Sequence, residues 1–432
     1  MLPRMILIRQ TAAAEEPIKN ISRAINAGLE KALKDGALSL CDVKGKTFGI
    51  AIGSRGIDRI PDVARSVVEL VRGLGACPKI FAAMGSHGGG TAGGQREMLD
   101  GLGITEDSVG APILCCAECK CIGNLKSGYP VYVNSLVDAF DLIIPVNRVK
   151  PHTDFDGITE SGIVKMLSIG IGNPEGCKNV HSISLRHGYE ETIRETAAVM
   201  LDKLPVWCGL ALIENWKSEL TYCEFVGPGH FFERDSALLE EVKKSTIKLP
   251  VKKLDSLVIG QIGKNISGTG MDTKVVGRIM VTGQTEPEYP AIGRIVVLDI
   301  SKESYGNAIG LGLADLTTEK VFKKINIGDT SLNSISSMSP EQGRIACVCK
   351  NDKEAIMASL DTLGLSKTSE AHMIFIKNTL RLDVMAVSEP LYNSRLALLE
   401  SIEPLSEPRE TVFDDRGNLV TFREELGLID LH

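Results

Sequence analysis

The sequence has no apolar run long enough to cross a bilayer. Its longest, such as Trp207 to Ile213 and Leu142 to Val146, stop far short of the roughly 18 residues required. It also lacks an excess of one charge. Lys and Arg number 48 against 55 Asp and Glu, interspersed, for a net charge of −7. No electrostatic footprint for a nucleic acid exists at the level of the whole chain, so the expectation is no nucleic-acid and no membrane partner. Short-period repeats and low-complexity tracts are missing too. With 43% apolar residues over 432 positions, disorder and collagen-like repetition are excluded and substantial cores are possible. The N-terminus, MLPRMILIRQTAAAEEP, lacks the longer apolar core and small-residue site of a cleavable signal and reaches Glu15 and Glu16 instead. Eleven cysteines, an odd number without an export signal, read as reduced thiols. A soluble, cytoplasmic protein of two or three domains is expected.

What is present is alternation. Ile18, Ile21, Ile25, Leu29 and Leu33 stand at helical spacing before Gly36. Strand-like Phe48 to Ile52 ends at Gly53-Ser54-Arg55-Gly56, and a helical stretch with Pro61 near its start runs to Gly75. Strand-like Lys79 to Met84 then ends at Gly85-Ser86-His87-Gly88, and Thr91 is placed to cap a helix that stops near Gly103. Pro130 to Val133, Asp141 to Val146 and Gly209 to Ile213 are further strands. This order predicts an α/β fold with a largely parallel, Rossmann-like N-terminal sheet. The charged segment Glu240 to Lys253, broken by Pro250, marks a boundary, giving domains 1–250 and 251–432. The second, smaller α/β domain has strand-like runs at Ser256 to Ile262, Arg294 to Ile300, Ile345 to Cys349 and Met373 to Ile376, and helical patterns at Thr318 to Ile325 and Lys353 to Leu363. Parallel sheets bind ligands beyond the carboxyl ends of their strands, which points to the loops Gly53 to Gly56, Gly85 to Gly90 and Asn147 to Gly157.

Histidine is scarce, seven in all, and His87, His152 and His181 lie in Gly-rich or charged contexts. His87 is flanked by Gly85, Gly88, Gly89 and Gly90, where missing side chains let a ligand approach; a solvated or capping histidine is the plainer reading. His152 sits in Arg148-Val-Lys-Pro-His152-Thr-Asp-Phe. An imidazole in a basic loop suits an anionic substrate and proton transfer. Lys165 interrupts an apolar helical segment, either as a snorkelling surface chain or as a desolvated, nucleophilic amine. Gly170, Gly172 and Gly176 have the wrong spacing and context for a dinucleotide fingerprint. Cys115, Cys116, Cys119 and Cys121 are too compressed for paired metal knuckles and read as thiols in a strand and turn.

The order of these stretches resembles the nickel-dependent lactate racemase family. The stretches are Gly53-Ser-Arg-Gly56, Ala83-Met-Gly-Ser-His87-Gly-Gly, Asn147-Arg-Val-Lys-Pro-His152-Thr-Asp-Phe, Glu160-Ser-Gly-Ile-Val-Lys165-Met and Gly176-Cys-Lys-Asn-Val-His181. The similarity extends to Gly263-Lys-Asn-Ile-Ser-Gly-Thr-Gly-Met-Asp272 and Gly306-Asn-Ala-Ile-Gly-Leu-Gly-Leu-Ala-Asp315. The resemblance implies a racemase or epimerase of a small 2-hydroxy acid or sugar acid, with a nickel-pincer nucleotide made by dedicated cofactor-synthesis enzymes. By position it implies covalent attachment through Lys165, nickel ligation by His181, and paired acid/base roles for His87 and His152. Ser54, Arg55, Gly170 and Gly172 would contact the cofactor. Arg55 would also hold the substrate carboxylate, in an active site between the domains over which the C-terminal domain closes. The sequence departs from the lactate enzyme in a longer His152 to Lys165 spacing and in Thr-Lys-Val-Val-Gly277-Arg278 after Asp272. Lys264, Asn265, Ser267 and Arg278 could replace the missing substrate contacts, or be surface groups of a Gly-rich turn. Two alternatives stay open: a noncatalytic nucleotide-binding or cofactor-carrying protein of the same fold, and a three-histidine zinc hydrolase, which the absence of a His-Glu-x-x-His helix disfavours.

Overall fold

Sixteen strands form two sheets and one ribbon in a computed structural model that describes residues 1–11, 15–40, 43–54, 56–153 and 155–428. In chain order they are β1 (Met5–Gln10), β2 (Thr47–Ile52), β3 (Cys77–Ala82), β4 (Ile113–Leu114), β5 (Cys119–Asn124), β6 (Pro130–Asn134), β7 (Leu142–Arg148) and β8 (Gly209–Glu214). There follow β9 (Leu220–Val226), β10 (Lys253–Ile259), β11 (Ala291–Val297), β12 (Leu316–Thr318), β13 (Cys347–Cys349), β14 (Met373–Asn378), β15 (Arg381–Ser388) and β16 (Ile402–Pro404). The chain forms two compact α/β units. One holds Ala14–His152 and Asp156–Thr246; the other holds Met1–Ala13, Thr153–Phe155 and Ile247–His432.

The first unit is built on a six-stranded sheet of order β4-β3-β2-β7-β8-β9, parallel except for β9. Its strands are apolar on both faces, as a sheet covered on both sides requires; Phe48, Ile50, Ala51 and Ile52 of β2 are all buried. The covering helices start where the sequence supplies caps. Asn20 accepts from Arg23 ahead of Ile21–Lys34, Pro61 opens Ile60–Gly73, and Thr91 accepts from Gly94 ahead of Ala92–Gly101. The expected strand at Pro130 to Val133 exists but lies outside the parallel sheet. It pairs antiparallel with Cys119–Asn124 across a tight turn in which Gly128, at φ 87°, donates to Leu125 O. A turn this short can return only an antiparallel partner.

The second unit carries an eight-stranded sheet of order β13-β12-β11-β10-β14-β15-β1-β16, parallel from β13 to β14 and antiparallel beyond. The strand β1 comes from the first residues of the chain yet pairs antiparallel with both β15 and β16, where residues 1–250 were expected to form one domain. Met5, Ile6, Leu7 and Ile8 are all buried. Consecutive apolar residues point to both faces of a strand, so β1 needs a sheet covered on both sides, and the place between β15 and β16 provides it. No helix among the described residues is long and apolar enough to cross a membrane.

Candidate active site

The parallel neighbours β3, β2 and β7 end side by side, so the loops leaving their carboxyl ends share one edge of the first unit's sheet. From β2 comes Ser54, from β3 His87, and from β7 His152. Ser54 Oγ meets Nδ1 of the exposed His87. The β3 loop turns at Gly85, which has φ 59°. A Cβ there would lie 3.2 Å from Cys177 Sγ and 3.3 Å from Ile169 O. Glycine therefore permits both the left-handed turn and the approach of the helical segment that carries Lys165 and His181.

That segment begins as the single turn Ile163–Lys165, passes through the π-helical stretch Met166–Ile171, and continues as the helix Asn173–His187. Two bonds fix it to the sheet edge and a third to a neighbouring helix. Gly85 N donates to Gly170 O at 3.2 Å, Asn147 Nδ2 at the end of β7 donates to Gly162 O at 2.8 Å, and Ile163 N donates to Asp235 Oδ1 at 2.9 Å. Gly170 is needed sterically, since a Cβ would fall 2.5 Å from Met166 Sδ and 2.9 Å from Ala83 O. At Gly172 a Cβ would fall 2.7 Å from Ser168 O. Lys165 is half-buried at the junction of the two helical forms. Asp235 is buried in the helix Phe231–Ser245. Its burial pushes the carboxyl up, the amides of Ile163 and Val164 and the charge of Arg194 pull it down, and the balance is about 7.

His181 is half-buried, with Nδ1 3.3 Å from the hydroxyl of Tyr189 and the two rings 5.7 Å apart edge to face. One turn earlier, Cys177 Sγ lies 3.6 Å from Ser86 Oγ. Burial raises the Cys177 thiol, but the hydrogen bond and charge of His181, with Ser86, bring it down to about 7. Cys177 and Ser86 carried no signal as separate residues in the sequence, although the i, i+4 spacing of Cys177 and His181 places both on one helix face.

The loop after β7 closes on itself through backbone bonds between Lys150 and Ser161 at 2.9 and 3.2 Å. Inside it the buried carboxylate of Glu160 accepts the backbone N–H of His152 and, at 3.2 Å, that of Gly157. Lys243, from the helix Phe231–Ser245, pairs with Glu160 at 2.5 Å and bonds Asp156 Oδ1 and Gly157 O, each at 2.8 Å. The basic character expected of this loop is reduced, because Arg148 forms an ion pair with Glu214, whose other oxygen accepts Asp58 N at 2.6 Å.

Contacts of Ser54 with His87, Gly85 with Gly170, Ser86 with Cys177 and Cys177 with His181 thus gather these residues at one sheet edge, with the loop of His152 on the adjacent strand. Arg55 lies outside the described residues. The other residues expected to contact substrate have partners inside the second unit. Lys264 Nζ donates to Gly268 O at 2.6 Å, Asn265 Oδ1 accepts from Ser301 at 2.7 Å, and Ser267 meets Thr269 Oγ1 at 3.1 Å. Arg278 donates to Leu313 O, Ile292 O and Asp315. Asp315, the half-buried partner of that guanidinium and acceptor of Ile295 N, makes Arg278 a brace of the second unit. Among the described residues no three His, Cys, Asp or Glu side chains converge on a metal position, so His87, His152 and His181 do not form the ligand set of a three-histidine zinc site. Cys119 and Cys121 lie on β5, and all ten described cysteines are thiols.

The segment and the turn it packs on thus offer an amine at Lys165, an imidazole at His181 and glycine-permitted backbone approach at Gly85 and Gly170.

No family model matches the chain, and no curated protein matches it. Among solved structures it is similar to the lactate racemase apoprotein from Thermoanaerobacterium thermosaccharolyticum, with a TM-score of 0.49 and 12% identity, over 90% of this chain and 91% of that one. A likeness of that size is too slight to carry a functional inference.

Proposed function

We propose that the protein is a racemase or epimerase of a small 2-hydroxy acid or sugar acid that works with a nickel-pincer nucleotide attached through Lys165. The observation that carries the reading is the placement of the Ser54–His87 pair, the His152 loop and the Lys165 to His181 segment at one carboxyl edge. These are the stretches whose order in the sequence resembles the lactate racemase family. When bound, the cofactor supplies a centre that takes hydride from the carbinol carbon and returns it. Lys165 would hold it and His181 would ligate nickel, with Tyr189 and Cys177 fixing the ring, as partners of metal-bound imidazoles commonly do. His87 and His152 would handle the hydroxyl proton, each as base for one enantiomer and acid for the other. Donation from Ser54 to Nδ1 would set His87 as the tautomer with its proton on Nε2.

The test is expression with the cofactor-synthesis enzymes, followed by peptide mapping and incubation with 2-deuterated hydroxy acids. The added mass should fall on the peptide containing Lys165 and vanish in Lys165→Ala. Inversion should retain the label, and His87→Ala and His152→Ala should each lose about 10²- to 10⁴-fold in rate while keeping the adduct. An adduct on another lysine, or inversion with complete washout of label, would refute the reading; loading without inversion of any acid would favour a cofactor carrier.

A further inference from the structure

The helix Ile327–Ser336 is laid inside out. It buries Thr330 and Ser334, whose hydroxyls bond back to Asn326 O and Thr330 O at 2.7 Å. It turns Ile327, Leu332 and Ile335 outward, 63%, 70% and 65% exposed. At about 100° per residue these three cover roughly 140° of the helix, the width of face that a helix ordinarily buries. From Ile325 to Pro340 the single charged residue is Asp329.

Neighbouring segments carry further exposed apolar side chains. Tyr305 is 85% exposed and held in the left-handed region at φ 49°, an uncommon state for a bulky residue. The adjacent Gly306 O accepts Asn326 N at the start of the helix. The helix packs on the turn Pro340–Gly343, which runs on through Ile345 into β13; Ile345 and Val348 are also exposed, as is Phe322 of the preceding helix Glu319–Lys324. The seven side chains expose the equivalent of about four whole large apolar residues, on the order of 700 Å², against the ~800 Å² that each partner contributes to a stable interface.

The strand at this end has an open side. β13 is last in the sheet order and pairs only with β12 among the described residues. Its residues, Cys347-Val348-Cys349, include no charge and no proline. The opposite edge is protected: β16 carries Pro404, and its Glu403 pairs with Arg9. Sheet edges are normally blunted by such devices, and an unguarded one is a template for another strand.

We propose that this end of the second unit is the interface of a homodimer, in which β13 pairs antiparallel with β13 of a second copy across a two-fold axis. A second copy is the occupant that meets every feature at once. Identical strands related by a two-fold axis are necessarily antiparallel, so the edge is complementary to itself. The helix carries Asp329 as its one charge, so it brings little like charge against its own image, and the exposed apolar area approaches what each partner of such a join buries. Centred on Val348, the pairing sets Cys347 opposite Cys349 of the second copy, neighbours across the join.

Sedimentation equilibrium of the full chain should give twice the 46.6 kDa chain mass. The double variant Leu332→Glu, Ile335→Glu changes only exposed positions and should fall to the single-chain mass with an unchanged circular dichroism spectrum. Copper-phenanthroline oxidation should produce a disulfide-linked dimer on non-reducing gels, lost in Cys347→Ser, Cys349→Ser. A wild-type chain that stays monomeric at 100 µM would overturn the proposal, as would a dimer that the glutamates leave intact. A dimer broken by the glutamates but refractory to the cross-link would overturn the strand pairing.

Discussion

At Asp235 burial and hydrogen bonding pull in opposite directions, and burial prevails. The carboxyl stands at about 7 against an ordinary 3.8, so the folded state holds a proton that the unfolded chain releases between those values. The stability this contributes is complete below about pH 4, falls as pH rises to about 7, and changes no further above that. A three-unit gap sets an upper bound of about 4 kcal/mol. Asp235→Asn keeps an oxygen to accept Ile163 N without the charge. Urea denaturation should therefore show wild type losing about 2–3 kcal/mol relative to the variant between pH 5 and pH 8; parallel profiles would disprove it. None of this was visible in the sequence, where Asp235 is one acid among several on a charged helix. His87 and Lys165 were visible, because glycines and apolar neighbours isolate them.

At the scale of elements, the loop after β7 is held by a helix distant in sequence. Lys243 neutralises the buried Glu160, which in turn fixes the backbone of His152 and Gly157. Lys243→Met would remove the ion pair to the buried Glu160 carboxylate and should destabilise the first unit, by at most about 3–5 kcal/mol. The amides of His152 and Gly157 should then lose hydrogen-exchange protection while β2 and β3 keep theirs; uniform loosening of the first unit would contradict the tie. Periodicity and caps located the main strands and helices to within a few residues, because those signals are local. The expected strand Ser256 to Ile262 is observed as Lys253–Ile259, and the cap at Thr91 is in place. The helical segment from Ile163 to His187, interrupted at Gly172 and at Asn173 with φ 57°, was harder to read. Its glycines suggest a loop, yet Gly170 and Gly172 sit inside it because they permit close packing against Ala83 O and Ser168 O.

For the whole molecule, the decisive feature is the return of the first strand to the second unit's sheet. β1 lies between β15 and β16 with Ile8 fully buried. Ile8→Ala removes three carbons from that core and should cost about 2–5 kcal/mol. Hydrogen exchange should quicken in Arg381–Ser388 and not in Thr47–Ile52; the reverse pattern would place β1 with the wrong sheet.

Alternation of apolar strands with amphipathic helices was enough to determine the α/β class and the strand ends that carry Ser54, His87 and His152, since burial of one apolar face is a property of each segment alone. Tertiary structure decided which strands became neighbours. It also decided that Arg148 and Arg278 spend their charge on Glu214 and Asp315, and that Cys177, Glu160, Lys243 and Asp235 support the candidate site. Those outcomes depend on pairings between groups far apart in the chain, and the free energy of such a pairing exists only after folding has brought the groups together and removed the water between them.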